Sequence, residues 1–194
     1  MGKLVGLTGT PGTGKKTLAP MLAAKLGLSC IGLNELAEVS GLWTKTKAGR
    51  EVDTEALRRK LVGNQAGPSL IYGHLLPYVL TRRQIAKVVV LRCEPAVLRR
   101  RLMARGYPAS KIIENLEAEL IGTIAFDAYA TFGAEKTTEY DTTRSRPEQT
   151  ARSALEFVLS KEPPSPRVDW SPHYDSAAKL RSLFMGGSMG SPLT

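Results

Sequence analysis

Apolar residues fall along the chain in two alternating modes. Short continuous runs suit strands covered on both faces, and longer stretches with three-to-four-residue spacing suit amphipathic helices. Residues 3–8 (KLVGLT), 28–33 (LSCIGL), 68–72 (PSLIY) and 87–93 (KVVVLRC) are runs of the first kind, with 138–142 a weaker fifth. Residues 17–26 carry Leu18, Leu22 and Leu26 four apart, which predicts a helix. Pro20 lies inside it; a proline costs about 3 kcal/mol in a helix interior but little in the first turn, so it is either tolerated or kinks the helix. One or two helical turns are expected at 34–39, and Asp53 is placed to cap a helix to about residue 61. Pro95 and Pro147 each open a helix, to about 105 and 159. Ser110 is expected to cap a long helix to about 131, with Ile113, Leu116, Leu120 and Ile124 on one face. Residues 41–50 are polar and contain glycine, which predicts a mobile loop. Strands alternating with helices predict an α/β fold: three layers, with a five-stranded parallel sheet between helices.

Composition changes near the end. From residue 161 onward, 14 of 34 residues are Pro, Gly or Ser, and a segment of that kind buries too little apolar surface to order itself. Residues 1–160 are therefore read as one domain and 161–194 as a flexible tail, with partial docking of Trp170 left open. The length of 194 residues agrees with one domain of about 100–200. No apolar stretch approaches the roughly 18 residues of a membrane span. The first strand begins within three residues of Met1, leaving no room for a signal peptide, so a cytoplasmic protein without membrane contact is expected. Cys30 and Cys93 lie in strand-like runs with no paired spacing; buried, reduced thiols are expected, with neither metal nor disulfide. The net charge of +9 points to anionic partners (nucleotides, RNA or ribosomal surfaces) or to a generally basic solvated surface.

The strongest chemical signal is Gly9-Thr-Pro-Gly-Thr-Gly-Lys15, which fits G-x-x-x-x-G-K between a strand and a helix. Glycines let successive backbone N–H groups turn toward phosphate oxygens, and the following helix directs its positive end at the same anion. Lys15 adds a full charge for the β- and γ-phosphates. The residue after the lysine departs from the pattern. A Ser or Thr hydroxyl there ligates Mg²⁺, whereas Lys16 repels it.

Three further features accompany the loop: Arg101-Leu-x-x-Arg105-Gly-Tyr107 after the fourth strand, Asn115-x-Glu117-x-Glu119 on the next helix, and Asp141-Thr-Thr143 before the last. Together with G-T-P-G-T-G-K they resemble the adenylate kinase isoenzyme six family, archaeal and eukaryotic proteins also described as ribosome-maturation ATPases. The resemblance covers about residues 3–160. It implies a P-loop NTPase-type, nucleoside-monophosphate-kinase-like fold with a monophosphate-binding segment at about 32–55 and a short lid at about 104–114. It also implies transfer of the ATP γ-phosphoryl to AMP or related monophosphates, a side ATPase activity, and a role in small ribosomal subunit maturation. The implied partners are ATP, AMP, a small-subunit ribosomal protein and pre-ribosomal RNA. Gly12, Gly14, Lys15, Lys16 and Thr17 are implied to hold ATP, with Arg105, in the lid, contacting it, and Lys15, Arg105 and His74 are the candidate catalytic residues.

Arg101 and Arg105 lie one helical turn apart, so both can face one site. Arg99 and Arg100 are expected to point elsewhere. His74 either positions an acceptor or a water, or is an ordinary hydrogen-bonded residue at a strand end. The family usually carries an acid two positions before this histidine, and here Tyr72 stands there. Both protein groups expected near Mg²⁺ are thus missing, so no metal ligand is assigned, and any Mg²⁺ is expected to be held by the phosphates of ATP. Lys16 is expected to replace part of the metal's charge, with reduced kinase activity.

Overall fold

The computed structural model describes residues 4–46, 49–63, 67–160 and 167–185. The first apolar run forms β1 (Leu4–Gly9), buried along its whole length. The phosphate loop follows and leads into α1 (Lys15–Leu26), which contains Pro20 without interruption. Next come β2 (Ser29–Gly32), α2 (Leu33–Val39), β3 (Trp43–Thr46), β4 (Gly49–Val52) and α3 (Thr54–Gly63). The Asp53 carboxylate accepts the Ala56 N–H at 2.8 Å, the expected cap. The chain continues through β5 (Ser69–Tyr72), α4 (Leu76–Val79), β6 (Ile85–Arg92), α5 (Pro95–Ala104), α6 (Ala109–Ile121), α7 (Thr123–Phe132), β7 (Thr137–Asp141), α8 (Pro147–Leu159) and α9 (Ala177–Met185).

The five strands expected from the apolar runs form one parallel sheet in the order β2-β5-β1-β6-β7. Side chains alternate across it. Val88 and Val90 join a core with α2, α3, α4 and α7 on one face, and Val89 and Leu91 join a core with α1 and α8 on the other. This is the three-layer arrangement, and it explains why β6 reads as an unbroken apolar run. A third cluster, from α5, α6 and α9, packs around Cys93, Leu98, Leu102, Leu116 and Leu183.

Four expectations need correction. Residues 41–50 hold more than a loop: Trp43 to Thr46 pair antiparallel with Gly49 to Val52. The long helix over 110–131 is broken at Gly122, whose φ of +73° belongs to the left-handed region that favours glycine. Its first half starts after Pro108 instead of being capped by Ser110, and it buries Ile112 while Ile113 is exposed. Cys30 lies on an edge strand and is exposed; Cys93 is buried, and both thiols are free.

The fourth correction concerns the tail. Residues 167–185 pack on the domain: Trp170 is buried and Leu183 joins the α5–α6 cluster. A few apolar side chains suffice because the domain offers them a preformed apolar surface. The expected flexibility at 161–166 and 186–194 lies outside the described residues. Among the described residues, no helix is long and apolar enough to cross a membrane.

Candidate functional site

The phosphate loop leaves the carboxyl end of the central strand, where ligands bind in open α/β sheets. Two of its glycines are dictated by space as well as by conformation. Gly9 has φ of +135°, and a Cβ there would lie 2.2 Å from the Leu91 carbonyl oxygen. Gly12 has φ of +96°, and a Cβ would approach Leu98 Cδ1 to 2.6 Å. A chain with side chains at these positions cannot keep the loop against β6 and α5. Backbone bonding in α1 begins with Thr17 and Leu18 donating to the Gly14 carbonyl, and a helix start that directly follows such a loop suits a polyphosphate.

Lys15 Nζ donates to the carbonyls of Gly9 at 2.6 Å and Thr10 at 2.9 Å, so its ammonium lies across the loop. Burial pushes its pKa down to about 7; Glu119 pulls it up and Arg105 adds to the lowering. Lys16 points out to Glu35 on α2, with Nζ 2.7 Å from Oε1. The hydrogen bond and charge of Glu35 raise the Lys16 pKa. Burial acts against the Glu35 carboxylate, but Lys16 outweighs it and lowers its pKa. Tyr72, at the end of β5, lies beside the same carboxylate, and burial followed by the Glu35 charge raises its pKa.

Three cavities adjoin one another here, and two of them border the loop. One of about 420 Å³ runs from Gly12, Gly14 and Thr17 to Arg101, Arg105, Thr142 and Thr150. A central one of about 190 Å³ is lined by Lys15, Lys16, Glu35, Tyr72, His74 and Arg105. The third, about 430 Å³, extends from Asn34 and His74 to Glu38, Trp43 and Glu51 under the β3–β4 hairpin. Arg105 borders the first and second, and His74 and Asn34 border the second and third. All seven residues expected from the sequence, Gly12, Gly14, Lys15, Lys16, Thr17, His74 and Arg105, therefore line one connected surface.

Arg105 caps α5 just before Gly106, whose φ of +70° turns the chain into α6. Arg101 also borders the first cavity, but its guanidinium is engaged: Nη2 donates to Thr142 O at 2.7 Å and Thr143 O at 3.2 Å. It holds the wall of the cavity in place. Arg99 and Arg100 line neither cavity. Burial, helped by the charge of Lys15, brings the His74 pKa down to about 4, so its imidazole is neutral at ordinary pH.

The donors at the centre do not fit a protein-held Mg²⁺. The position of the ligating hydroxyl carries an ammonium, that of the acid carries a phenol, and the nearby carboxylate is paired with Lys16. Among the described residues, no group of three or more His, Cys, Asp or Glu side chains converges as a cation site.

A buried cluster supports the loop from behind. Thr10 Oγ1 donates to Glu119 at 2.5 Å, and Glu119 also accepts from Arg92 Nε at 2.8 Å, Cys93 N–H at 3.0 Å and Trp170 Nε1 at 3.2 Å. Arg92 Nη1 reaches Glu139 at 2.5 Å and the Val168 carbonyl at 3.0 Å. Burial opposes the Arg92 charge, but Glu119 and Glu139 outweigh it and raise its pKa. Sequence reasoning noted Glu119 in a motif without giving it a role and passed over Arg92, Thr10 and Glu35. Arg92 was the available signal: a charge inside an apolar run must be paired.

The AAA domain family matches residues 5–122. Archaeal proteins named "Putative adenylate kinase" match nearly end to end. That of Thermococcus onnurineus is 33% identical over 184 residues, covering 93% of this chain and 98% of the relative. That of Natronomonas pharaonis is 39% identical over 178 residues, covering 87% and 98%. Among solved structures, a shikimate kinase from Acinetobacter baumannii in complex with shikimate aligns at TM-score 0.59 and 16% identity, covering 84% of this chain and 96% of that one. A gluconokinase from Sinorhizobium meliloti aligns at TM-score 0.55 and 19% identity, covering 81% and 91%. These two share the fold: a P-loop kinase sheet with helices on both faces. The sequence relatives go further, and the chain belongs to their family, the adenylate kinase isoenzyme six family.

Proposed function

We propose that this chain is a nucleoside-monophosphate kinase that transfers the γ-phosphoryl group of ATP to AMP or a related monophosphate, with a side ATPase activity. The observation that carries this reading is the series of three adjoining cavities, with the phosphate loop and Arg105 between the first two and Asn34 and His74 between the second and third. A two-substrate phosphotransferase needs that layout: donor on one side, acceptor on the other, transfer between.

In this reading the ATP polyphosphate lies on Gly12, Gly14, Lys15, Lys16 and Thr17, with its nucleoside toward Arg101 and Thr142. AMP occupies the cavity under the hairpin. The segment at about 32–55 serves as the monophosphate-binding element, and the turn within 104–114 serves as the lid that brings Arg105 over the phosphates. An oxygen of the AMP phosphate attacks the γ-phosphorus. That P–O bond forms as the bond to the β,γ-bridging oxygen breaks, and ADP forms on both sides. Lys15 and Arg105 offset the charge that gathers at the reacting oxygens; an arginine so placed is worth about 10³–10⁵ in rate. An AMP phosphate oxygen brings no proton to remove, whereas a water does. Neutral His74 is suited to accept a hydrogen bond from that water and so position it in the ATPase reaction, though its lowered pKa makes it a weak base.

ADP formation from ATP and AMP tests the reading, with shikimate and gluconate as control acceptors. AMP-dependent turnover abolished in Lys15→Met supports it, and turnover only with another acceptor refutes it. His74→Asn is expected to lower ATP hydrolysis more than transfer to AMP; equal losses would show that His74 does not act on the water.

A second reading is favoured by the Lys16–Glu35 pair and Tyr72 at the metal position. In it the chain is a nucleotide-gated ribosome-assembly factor with weak kinase activity, and the surplus positive charge serves a small-subunit ribosomal protein or pre-ribosomal RNA. ATP-dependent binding to purified small-subunit components, without AMP turnover, distinguishes it.

A further inference from the structure

The central cavity brings the ammonium groups of Lys15 and Lys16 and the Arg105 guanidinium around one small space, with the single carboxylate of Glu35 at its rim. Lys16 and Glu35 have side chains 76% and 44% exposed, so their 2.7 Å pair is cheap to open. Lys15, by contrast, is fixed across the loop by two carbonyls. Lys16 sits at the second position of α1, where the pattern would place a metal-ligating hydroxyl. Its flexible stem and three donors let it leave Glu35 for a phosphate oxygen without moving backbone. A divalent cation at the same place would meet that ammonium, and the carboxylate within reach is held by Lys16 and crowded by Tyr72.

We infer that this cradle is built for ATP free of divalent cation: Lys16, held in reserve by Glu35, supplies at the β- and γ-phosphates the positive charge that a hydroxyl-bound Mg²⁺ would otherwise provide. Glu35 is a positioning residue in this scheme. It keeps the ammonium over the cavity until polyphosphate arrives, then faces Tyr72 and solvent. This inference rests on the reading of the loop as an ATP site and adds which form of ATP it takes.

The test is ATP binding by titration calorimetry in EDTA and in excess Mg²⁺, for the native chain, Lys16→Met and the double variant Lys16→Thr, Tyr72→Asp. The native chain is expected to bind ATP in EDTA at least as tightly as with Mg²⁺. Lys16→Met, at an exposed position that leaves the fold intact, should weaken binding in EDTA by about ten- to a hundredfold, the loss of one charge-assisted contact. The double variant should reverse the preference, binding at least about tenfold tighter with Mg²⁺. Native binding more than tenfold weaker in EDTA overturns the inference and leaves the ATP site standing. Lys16→Met binding metal-free ATP as the native chain does overturns the role of Lys16. No ATP binding in either condition overturns the ATP-site reading itself.

Discussion

Two cation–carboxylate groupings flank the phosphate loop, and they differ in almost every physical respect. Behind the loop, Arg92, Glu119 and Glu139 are 3%, 1% and 3% exposed, with donors and acceptors supplied on several sides. In front of it, Lys16 and Glu35 meet as a partly solvated pair. The first grouping is a fixture: its charges left water on folding and each needs the others. The second is a reservoir whose partners separate at little cost. The same chemistry thus serves rigidity on one side and exchange on the other, and burial makes the difference.

The largest effect is expected from Arg92→Met. Two buried carboxylates lose their cation while the Thr10, Cys93 and Trp170 donors remain, and removing one partner from such a group costs about 3–5 kcal/mol. Urea unfolding of the variant measures it. A loss under about 1 kcal/mol would mean that the cluster behaves like a surface pair and that the contrast is wrong. Trp170→Ala comes next. It removes a buried side chain and the indole donor to Glu119, at an expected cost of about 3 kcal/mol, the low end for a large aromatic because the segment that carries it can undock. Protection of residues 167–185 in hydrogen exchange should fall first.

A third effect is smaller per step and concerns Lys15. Its pKa, at about 7, stands far below the ordinary 10.5 because burial disfavours the ammonium. Above about 7 the free protein has released the proton that phosphate binding requires, so ATP binding should take up one proton there and none well below. Affinity then falls about tenfold per pH unit above that value. Calorimetry in buffers of different ionisation enthalpy counts the proton. The same shift makes the stability of the free protein rise with pH between about 7 and 10.5, because only the unfolded chain still holds the proton. A flat affinity from pH 6 to 9 would show that Lys15 stays charged in place.

How much of this was readable in advance follows the same divide between local and long-range causes. The phosphate loop and all five sheet strands were legible, because glycine spacing and continuous apolar runs are local signals. The β3–β4 hairpin was hidden, since its strands are short and largely polar, so no apolar alternation marks them. The break at Gly122 was masked by apolar spacing that continues through it. Docking of Trp170 stays open in the sequence because what holds it lies far away: its buried indole donates to Glu119, 51 residues earlier. The role of Glu119 was illegible for a related reason: its partners Thr10, Arg92 and Trp170 meet only once the sheet is assembled. Lys16 and Tyr72 were each visible as departures. That Glu35 lies between them depends on where α2 packs, and only the fold supplies that.

The smallest expected effect is the sharpest probe of the contrast. Glu35→Gln removes the carboxylate from the front pair and keeps the side chain's size. For stability the change should stay within about 0.5 kcal/mol, because an exposed pair gains little beyond the entropy lost in holding it. The parallel change behind the loop, Glu119→Gln, strips Arg92 of a buried charge and is expected to cost several times as much. Equal losses would place both groupings in one class. If Glu35 only tethers Lys16, the variant should hold ATP in EDTA as well as the native chain does, or better, since the ammonium no longer has to leave a competing anion. A large loss of stability in Glu35→Gln with little in Glu119→Gln would invert the assignment and make the front pair the structural one.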